Sequence, residues 1–304
     1  MSNTESNMIK FKRFQRGGVY LLLTVPPLCW AANAVLARGV VDLIPPVSFA
    51  FWRWTLAFLI ISPFAVTRAK KEWALVAGHW KIILFLSLCG ISSFNTLLYT
   101  AVQTTTAINC ALIQTTMPAV IILISVAVFK DNITKLQAAG VCLCIFGAFL
   151  VVLRGKLANL LHFSFVQGDL LMVIAVFLYA VYSSFLRKRP RIHPMSFLFY
   201  TFGIGAFALL PLYLWETTCR PLPVLNLAVI SSVLFVAVFP SIVAYFCWNR
   251  GIEKIGANKA GLFINLTPVF ASIMAIGWLD EPVRIFQISG MVLIVTGMVI
   301  FNRN

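Results

Sequence analysis

Ten apolar stretches, each about as long as a membrane's hydrocarbon core is thick, leave this chain few choices of fold. They fall at 19–37, 46–66, 80–102, 107–129, 136–153, 168–186, 195–214, 225–248, 257–278 and 285–301. A helix rises about 1.5 Å per residue, so crossing a core about 30 Å thick takes roughly 20 apolar residues. In hydrocarbon every backbone N–H and C=O must find a partner, and a helix supplies those partners locally. The ten stretches and their short joins use almost all of the 304 residues, which leaves no room for a soluble catalytic domain. Composition agrees: 61% of residues are hydrophobic and 11% charged, against about 45–50% and about 25% in soluble chains. The expected fold class is an all-α integral membrane protein of ten transmembrane helices.

The charges give an orientation. The net charge is +15, but the basic residues sit in short loops, where they report topology and not a nucleic-acid partner. With the N-terminus placed inside, eighteen Lys and Arg residues fall on the inner side. Only Arg38, Arg154, Lys156, Arg220 and Arg284 fall outside, and Arg53 lies within a span. This bias predicts cytoplasmic N- and C-termini and an even number of spans. The first sixteen residues are polar and basic, and the apolar run after them lacks a small-residue cleavage site, so it reads as a retained first span. Six of the seven cysteines lie in apolar stretches, where Cys behaves as a small hydrophobe. Cys219 is expected in a loop. Cys142 and Cys144 point different ways on a helix, so neither a metal pair nor a disulfide framework follows.

The chain also repeats itself. At an offset of 148, Pro46, Ser48, Phe49, Phe51 and Pro63 match Pro194, Ser196, Phe197, Phe199 and Pro211. At an offset of 150, Ala107, Pro118, Gln137, Gly140 and Gly147 match Ala257, Pro268, Gln287, Gly290 and Gly297, and Asp131 aligns with Glu281. The repeat contains five spans, and an odd number turns the second copy upside down. The loop charges agree: the join near Arg38–Pro45 is poor in Lys and Arg, whereas its counterpart Arg187–Arg191 is strongly basic. Two inverted halves suit a carrier that opens alternately to each side.

Several of these residues resemble the EamA-type, ten-helix branch of the drug/metabolite transporter superfamily. They are Trp30-Ala31-Ala32-Asn33 in the first span, Pro46 through Arg53 in the second, Pro118 and Pro268, and the Asp131 and Glu281 turns followed by Gly140 and Gly290. Asp131-Asn132 departs from the Glu-containing turn frequent in that family. The resemblance extends from about residue 18 to the end. It implies a cytoplasmic segment 1–17, a first repeat 18–157 and an inverted second repeat 158–304. It further implies secondary transport of small metabolites across a plasma membrane, a bacterial inner membrane. The family exports amino acids, nucleobases, drugs and other metabolites, so the resemblance names no substrate.

Polar residues inside the spans are the candidate site. Arg53 lies about 10 Å below the start of its span at 1.5 Å per residue. A charge there must face a cavity, a carbonyl cluster or an anion. Two roles fit: holding a substrate carboxylate, or bonding helix carbonyls to fix packing. Other polar and aromatic residues recur at helical spacing: Trp30 and Asn33; Asn95 and Tyr99; Asn109; Tyr179 and Tyr182; Tyr245 and Trp248; Asn258 and Asn265. Together they form the expected lining of a small-molecule cavity, although aromatic belts and interhelical bonds use the same residue types. Pro26, Pro27, Pro118, Pro240 and Pro268 are expected to kink or hinge their helices.

None of the nine acidic residues lies near the middle of a span. A proton-coupled pump for cations needs an intramembrane carboxylate, so a neutral or zwitterionic solute is expected. Asp169 reads as a helix N-terminal residue. No zinc motif, phosphate loop or nucleophile elbow appears, and no catalytic, metal or cofactor site is expected. The expected partners are a small-molecule substrate and membrane lipid, without nucleic acid. The expected function is export or facilitated passage of amino acids or related zwitterionic or neutral solutes. Multidrug or nucleotide/sugar transport is the alternative, and a membrane enzyme or structural protein stands behind both.

Overall fold

Proline marks where several helices begin and where others break. In the computed structural model α2 (Pro46–Gly78) and α7 (Pro194–Cys219) both open on proline, whose missing N–H would be unpaired in a first turn anyway. α4 (Ala107–Phe129) stops at Gln114 and restarts at Met117, with Pro118 in the restarted first turn. α9 (Lys259–Leu279) passes through a 3₁₀ turn at Leu262–Leu266 and restarts at Thr267, with Pro268 placed likewise. In both repeats the expected kink is therefore a break at the same position. Pro240 lies in a π-helical segment, Ala237–Val243, of α8 (Leu227–Ile255). α3 (Trp80–Ala101) carries a matching π segment, Leu88–Ser93, without any proline. α1 (Asn3–Gly39) stays α-helical through Pro26 and Pro27. The remaining elements are α5 (Lys135–Val152), α6 (Gln167–Lys188) and α10 (Ile285–Phe301).

The structure describes residues 3–155, 166–220 and 226–301, with side chains from Gly18 onward except at 148, 152, 258, 262 and 298. The repeat boundary at 157/158, Lys156, Arg303, the side chains of the 1–17 segment and that of Asn258 lie outside the described residues. Among those described, eight helices are long and apolar enough to cross a membrane, and α5 and α10 are shorter apolar helices. Cys219, expected in a loop, is the last residue of α7.

The packing obeys a two-fold exchange of the halves. α1 packs on α8 and α9, as α6 packs on α3 and α4; α2 pairs with α7, and α5 with α10. The α5–α10 pair records the inversion in its glycines. A Cβ at Gly140 would lie 2.5 Å from the Gly297 carbonyl oxygen, and one at Gly147 would lie 2.9 Å from that of Gly290. Gly140 is the repeat partner of Gly290, and Gly147 of Gly297, so each glycine meets the partner of the other. Equivalent helices related by a two-fold axis and running antiparallel give this crosswise contact. Small residues permit such close backbone approach where lipid offers no hydrophobic drive for association.

The α2–α7 pair is tied at both ends. Glu216, near the end of α7, accepts from the Val47 and Ser48 amides (3.1 and 2.6 Å) and the Ser48 hydroxyl (2.8 Å). These amides are free donors at the start of α2, and the helix dipole favours a carboxylate there. Glu72, near the end of α2, accepts from the His193 amide just before α7 (3.0 Å). Glu216→Ala is expected to cost about 2 kcal/mol, because it orphans amides capped by a charged acceptor; a lowered melting temperature in detergent checks this.

Candidate functional site

Arg53 stands on the inner face of α2, where the two repeats meet, and is 0% exposed. The neighbouring proline prepares its place. Without an N–H at Pro240, the Val236 carbonyl loses its i+4 donor, and the Ser241 hydroxyl takes over that acceptor at 2.7 Å. The Ser241 oxygen then accepts from Arg53 Nε at 2.6 Å. The Pro240 carbonyl accepts from Arg53 Nη2 at 3.1 Å and from Trp30 Nε1 at 3.3 Å. Arg53 Nη1 is shared by Asn33 Oδ1 (2.9 Å), Asn95 Oδ1 (2.7 Å) and the Tyr99 hydroxyl (2.7 Å), and Tyr99 donates onward to Asn33 (2.7 Å). The Trp54 ring lies 4.7 Å from the guanidinium carbon. Every one of these partners is neutral, and Arg53 forms no ion pair among the described residues. Charge-assisted hydrogen bonds hold the cation in place, but nothing cancels its charge.

An aromatic wall adjoins this network. The Trp30 ring centroid lies 5.5 Å from that of Tyr179, 5.3 Å from Trp248 and 6.3 Å from Tyr245. Tyr179 and Tyr182 are 5.2 Å apart. Tyr245 donates to the Gly90 carbonyl in the π segment of α3. A Cβ at Gly90 would fall 2.3 Å from the Tyr182 ring, so only glycine admits that ring. The two π segments thus supply partners to the centre: Ser241 and Pro240 from α8, Gly90 from α3. Insertions of this kind are frequent at functional sites. Proline hinted at the α8 segment in the sequence, and nothing hinted at the one in α3.

The structure brings Trp30, Asn33, Arg53, Asn95, Tyr99, Tyr179, Tyr182, Tyr245 and Trp248 into one assembly. Asn109 stands elsewhere. Its amide lies 3.3 Å from Asp169, which also accepts from Thr105, and its Oδ1 accepts from Gln287 (2.7 Å). Arg154 lies 3.7 Å from the same Asp169 carboxylate. Asn265 lies in the 3₁₀ turn of α9, and its Oδ1 has no partner.

The two ends of the bundle differ. On the face poor in Lys and Arg, Glu281 accepts from the Ala107 and Ile108 amides (3.2 and 3.3 Å), and Arg38 bonds the Val102 carbonyl (2.7 Å) and approaches Glu281 (3.9 Å). A groove of about 410 Å³ lies over this seal and is lined by Arg38 and Glu281 themselves. On the basic face the repeat counterparts are Asp131 and Arg187, which pair at 3.1 Å. There the symmetry stops. Among the described residues Asp131 accepts only from Arg187, and no carboxylate caps the Ala257 amide, the counterpart of Ala107. Beside the uncapped start of the short helix Ala257–Gly261, which leads into α9, opens a cavity of about 600 Å³, lined by Ser183, Ser184, Arg187, Arg189, Asn249 and Ala257 among others. The match of Arg38 with Arg187 at an offset of 149 was visible in the sequence; the difference between the two faces was not.

A family model described as the EamA-like transporter family matches residues 17–153 and, a second time, 166–303. An uncharacterized transporter of Bacillus subtilis, YyaM, is 31% identical over 92% of each chain. A probable amino-acid metabolite efflux pump of Escherichia coli is 26% identical over 94% of each. A solved crystal structure at 15% identity superposes with a TM-score of 0.67, covering 94% of this chain and 96% of the other, and so shares the fold.

Proposed function

The chain belongs to the EamA-like transporter family, and from that membership we propose that it carries amino acids or related zwitterionic solutes by alternating access, with Arg53 holding the substrate carboxylate. The observation that carries this reading is the uncompensated guanidinium at 0% exposure where the repeats meet. Desolvating a charge costs several kcal/mol, and a carboxylate that takes the remaining Nη2 donor and displaces a neutral acceptor offsets that cost with charge-assisted bonds. The aromatic wall suits the apolar part of the solute. The efflux-pump name of the E. coli relative points the same way. The basic face lies toward the cytoplasm in this reading, so export begins at the cavity there. The test is counterflow in proteoliposomes preloaded with amino acids, nucleobases or sugars. Accumulation of an amino-acid class supports the assignment. Flux of nucleobases or sugars alone, or of neutral drugs insensitive to Arg53→Ala, overturns it.

Alternating access requires the seal at Glu281 to open. Cys110 lies just behind that seal and is fully buried. In a Cys219→Ser background, Glu281→Gln is expected to speed labelling of Cys110 by a membrane-impermeant maleimide about tenfold. Loss of a charged acceptor costs roughly 1.5–3 kcal/mol and shifts the population accordingly. An unchanged labelling rate, with the substituted protein still folded, removes Glu281 from the gate.

A further inference from the structure

The cavity on the basic face holds hydrogen-bond donors that the protein leaves unused. Arg189 is 13% exposed; its Nη2 binds Glu253 at 3.2 Å and its guanidinium lies 5.1 Å from the Phe197 ring centroid. Its Nη1 is buried without a partner. Asn249 is 2% exposed, and its Oδ1 accepts from the Tyr182 hydroxyl at 2.8 Å. That bond turns Nδ2 free, and Nδ2 has no partner. Ser184 is 0% exposed, and its hydroxyl is also unpartnered. All three residues line the same cavity. Buried donors are nearly always satisfied in native proteins; these three belong to residues that line the cavity and lie just below its water-accessible surface, so an acceptor that enters as the side chains part can satisfy them. One of them is a guanidinium, and the lining carries Arg187, Arg189 and Arg191 against the single carboxylate of Glu253, so that ligand is an anion.

We propose that this cavity is a second carboxylate site, a waiting position in which Arg189, Asn249 and Ser184 hold an incoming substrate before it reaches Arg53. This inference rests on the transport reading above. Its volume of about 600 Å³ lies in the range of small-molecule pockets. Its wall continues into the central site: Trp248 Nε1 bonds Ser183 of the cavity at 3.3 Å, and Trp248 packs edge-on against Trp30, which shares the Pro240 carbonyl with Arg53. The other half offers no copy. At an offset of 149 the residues corresponding to Ser184, Arg189 and Asn249 are Val35, Val40 and Thr100. The fold is therefore built to capture an anion from the basic face and to release it at a face without such a site.

Equilibrium dialysis of the detergent-purified full chain against each ¹⁴C-labelled amino acid, with the matching amino-acid amides as competitors, tests the proposal. The wild type is expected to bind two equivalents of the amino acids that show counterflow. Arg53→Ala and Arg189→Gln should each leave one, the double variant none, and the amides should compete at neither site. Ser184→Ala removes only an orphaned hydroxyl, so it keeps the test open if Arg189→Gln does not fold; it should weaken the remaining site of Arg53→Ala about fivefold. One equivalent in the wild type, lost in Arg53→Ala and unaffected by Arg189→Gln or Ser184→Ala, overturns the waiting site and leaves the transport reading standing. One equivalent lost only in Arg189→Gln keeps the cavity site and removes Arg53 from carboxylate binding. Inorganic phosphate or phosphatidylglycerol occupying the Arg189-dependent site in place of an amino acid also overturns the proposal, as does the absence of any amino-acid binding.

Discussion

Arg53→Lys is expected to lower carboxylate-dependent counterflow by about 30- to 100-fold in a protein that still folds, equivalent to roughly 2–3 kcal/mol for lost charge-assisted hydrogen bonds. Lysine keeps the charge but replaces a planar fork of five donors with a single ammonium. In the native site that fork reaches Ser241 through Nε, the Pro240 carbonyl through Nη2 and the Asn33, Asn95 and Tyr99 oxygens through Nη1. One ammonium cannot serve these directions, whereas the guanidinium keeps an Nη2 donor for a carboxylate that displaces a neutral acceptor. Arg53→Ala is expected to abolish transport as well, and it also leaves buried acceptors orphaned at about 1–3 kcal/mol each, so its melting temperature should fall much further. Reading counterflow and melting together on both variants separates binding from folding. Wild-type flux in Arg53→Lys would mean that charge alone matters at this position. Wild-type flux in a folded Arg53→Ala would reduce the residue to a packing element.

Gly140→Leu is expected to give no folded protein, and Gly140→Ala a protein weakened by about 1–3 kcal/mol, the range for overpacked interiors. A Cβ there would meet the Gly297 carbonyl oxygen at 2.5 Å, the Phe301 amide nitrogen at 2.9 Å and the Phe301 Cβ at 3.1 Å. Two of these atoms are backbone, so relief requires moving α10 as a whole. That motion would also separate Gly147 from Gly290, because both glycine contacts belong to one antiparallel pair. Gly277→Ala is the control. Nothing lies within 4 Å of a Cβ at Gly277, and alanine in a helix interior gains about 0.5–1 kcal/mol over glycine. Detergent thermal melts of the wild type and the two alanine variants check the order Gly277→Ala, wild type, Gly140→Ala. A well-folded Gly140→Leu would contradict the crosswise packing of α5 and α10.

The two ends of the bundle make a further comparison within one molecule. At one end Glu281 reaches across to the first turn of α4, and at the other Asp131 stops at Arg187. The repeats share these residues but not this arrangement. In the alternating-access reading proposed above, exchange of the two arrangements changes the open side. The α2–α7 pair, held by Glu216 at one end and Glu72 at the other, supplies a frame tied in the same way at both faces.

The chain's sequence alone determined the ten helices and their inverted halves, because lipid imposes a length on each apolar run and an odd repeat imposes the inversion. It also singled out Arg53, since a charge within a span cannot be idle. Helical spacing showed that Trp30 and Asn33, or Asn95 and Tyr99, share a helix face. Spacing says nothing about which faces meet. For that reason Asn109 looked like part of the central site, and only the packing placed it with Asp169 and Gln287. The same ignorance hid the unused donors of Arg189, Asn249 and Ser184, because a donor is unpartnered only relative to neighbours from other helices. The α3 π segment and the partners of the paired glycines were likewise decided by tertiary contact. Gly140 and Gly290 matched along the chain, yet Gly140 touches Gly297, because a two-fold axis joins each position to its neighbour's counterpart and not to its own.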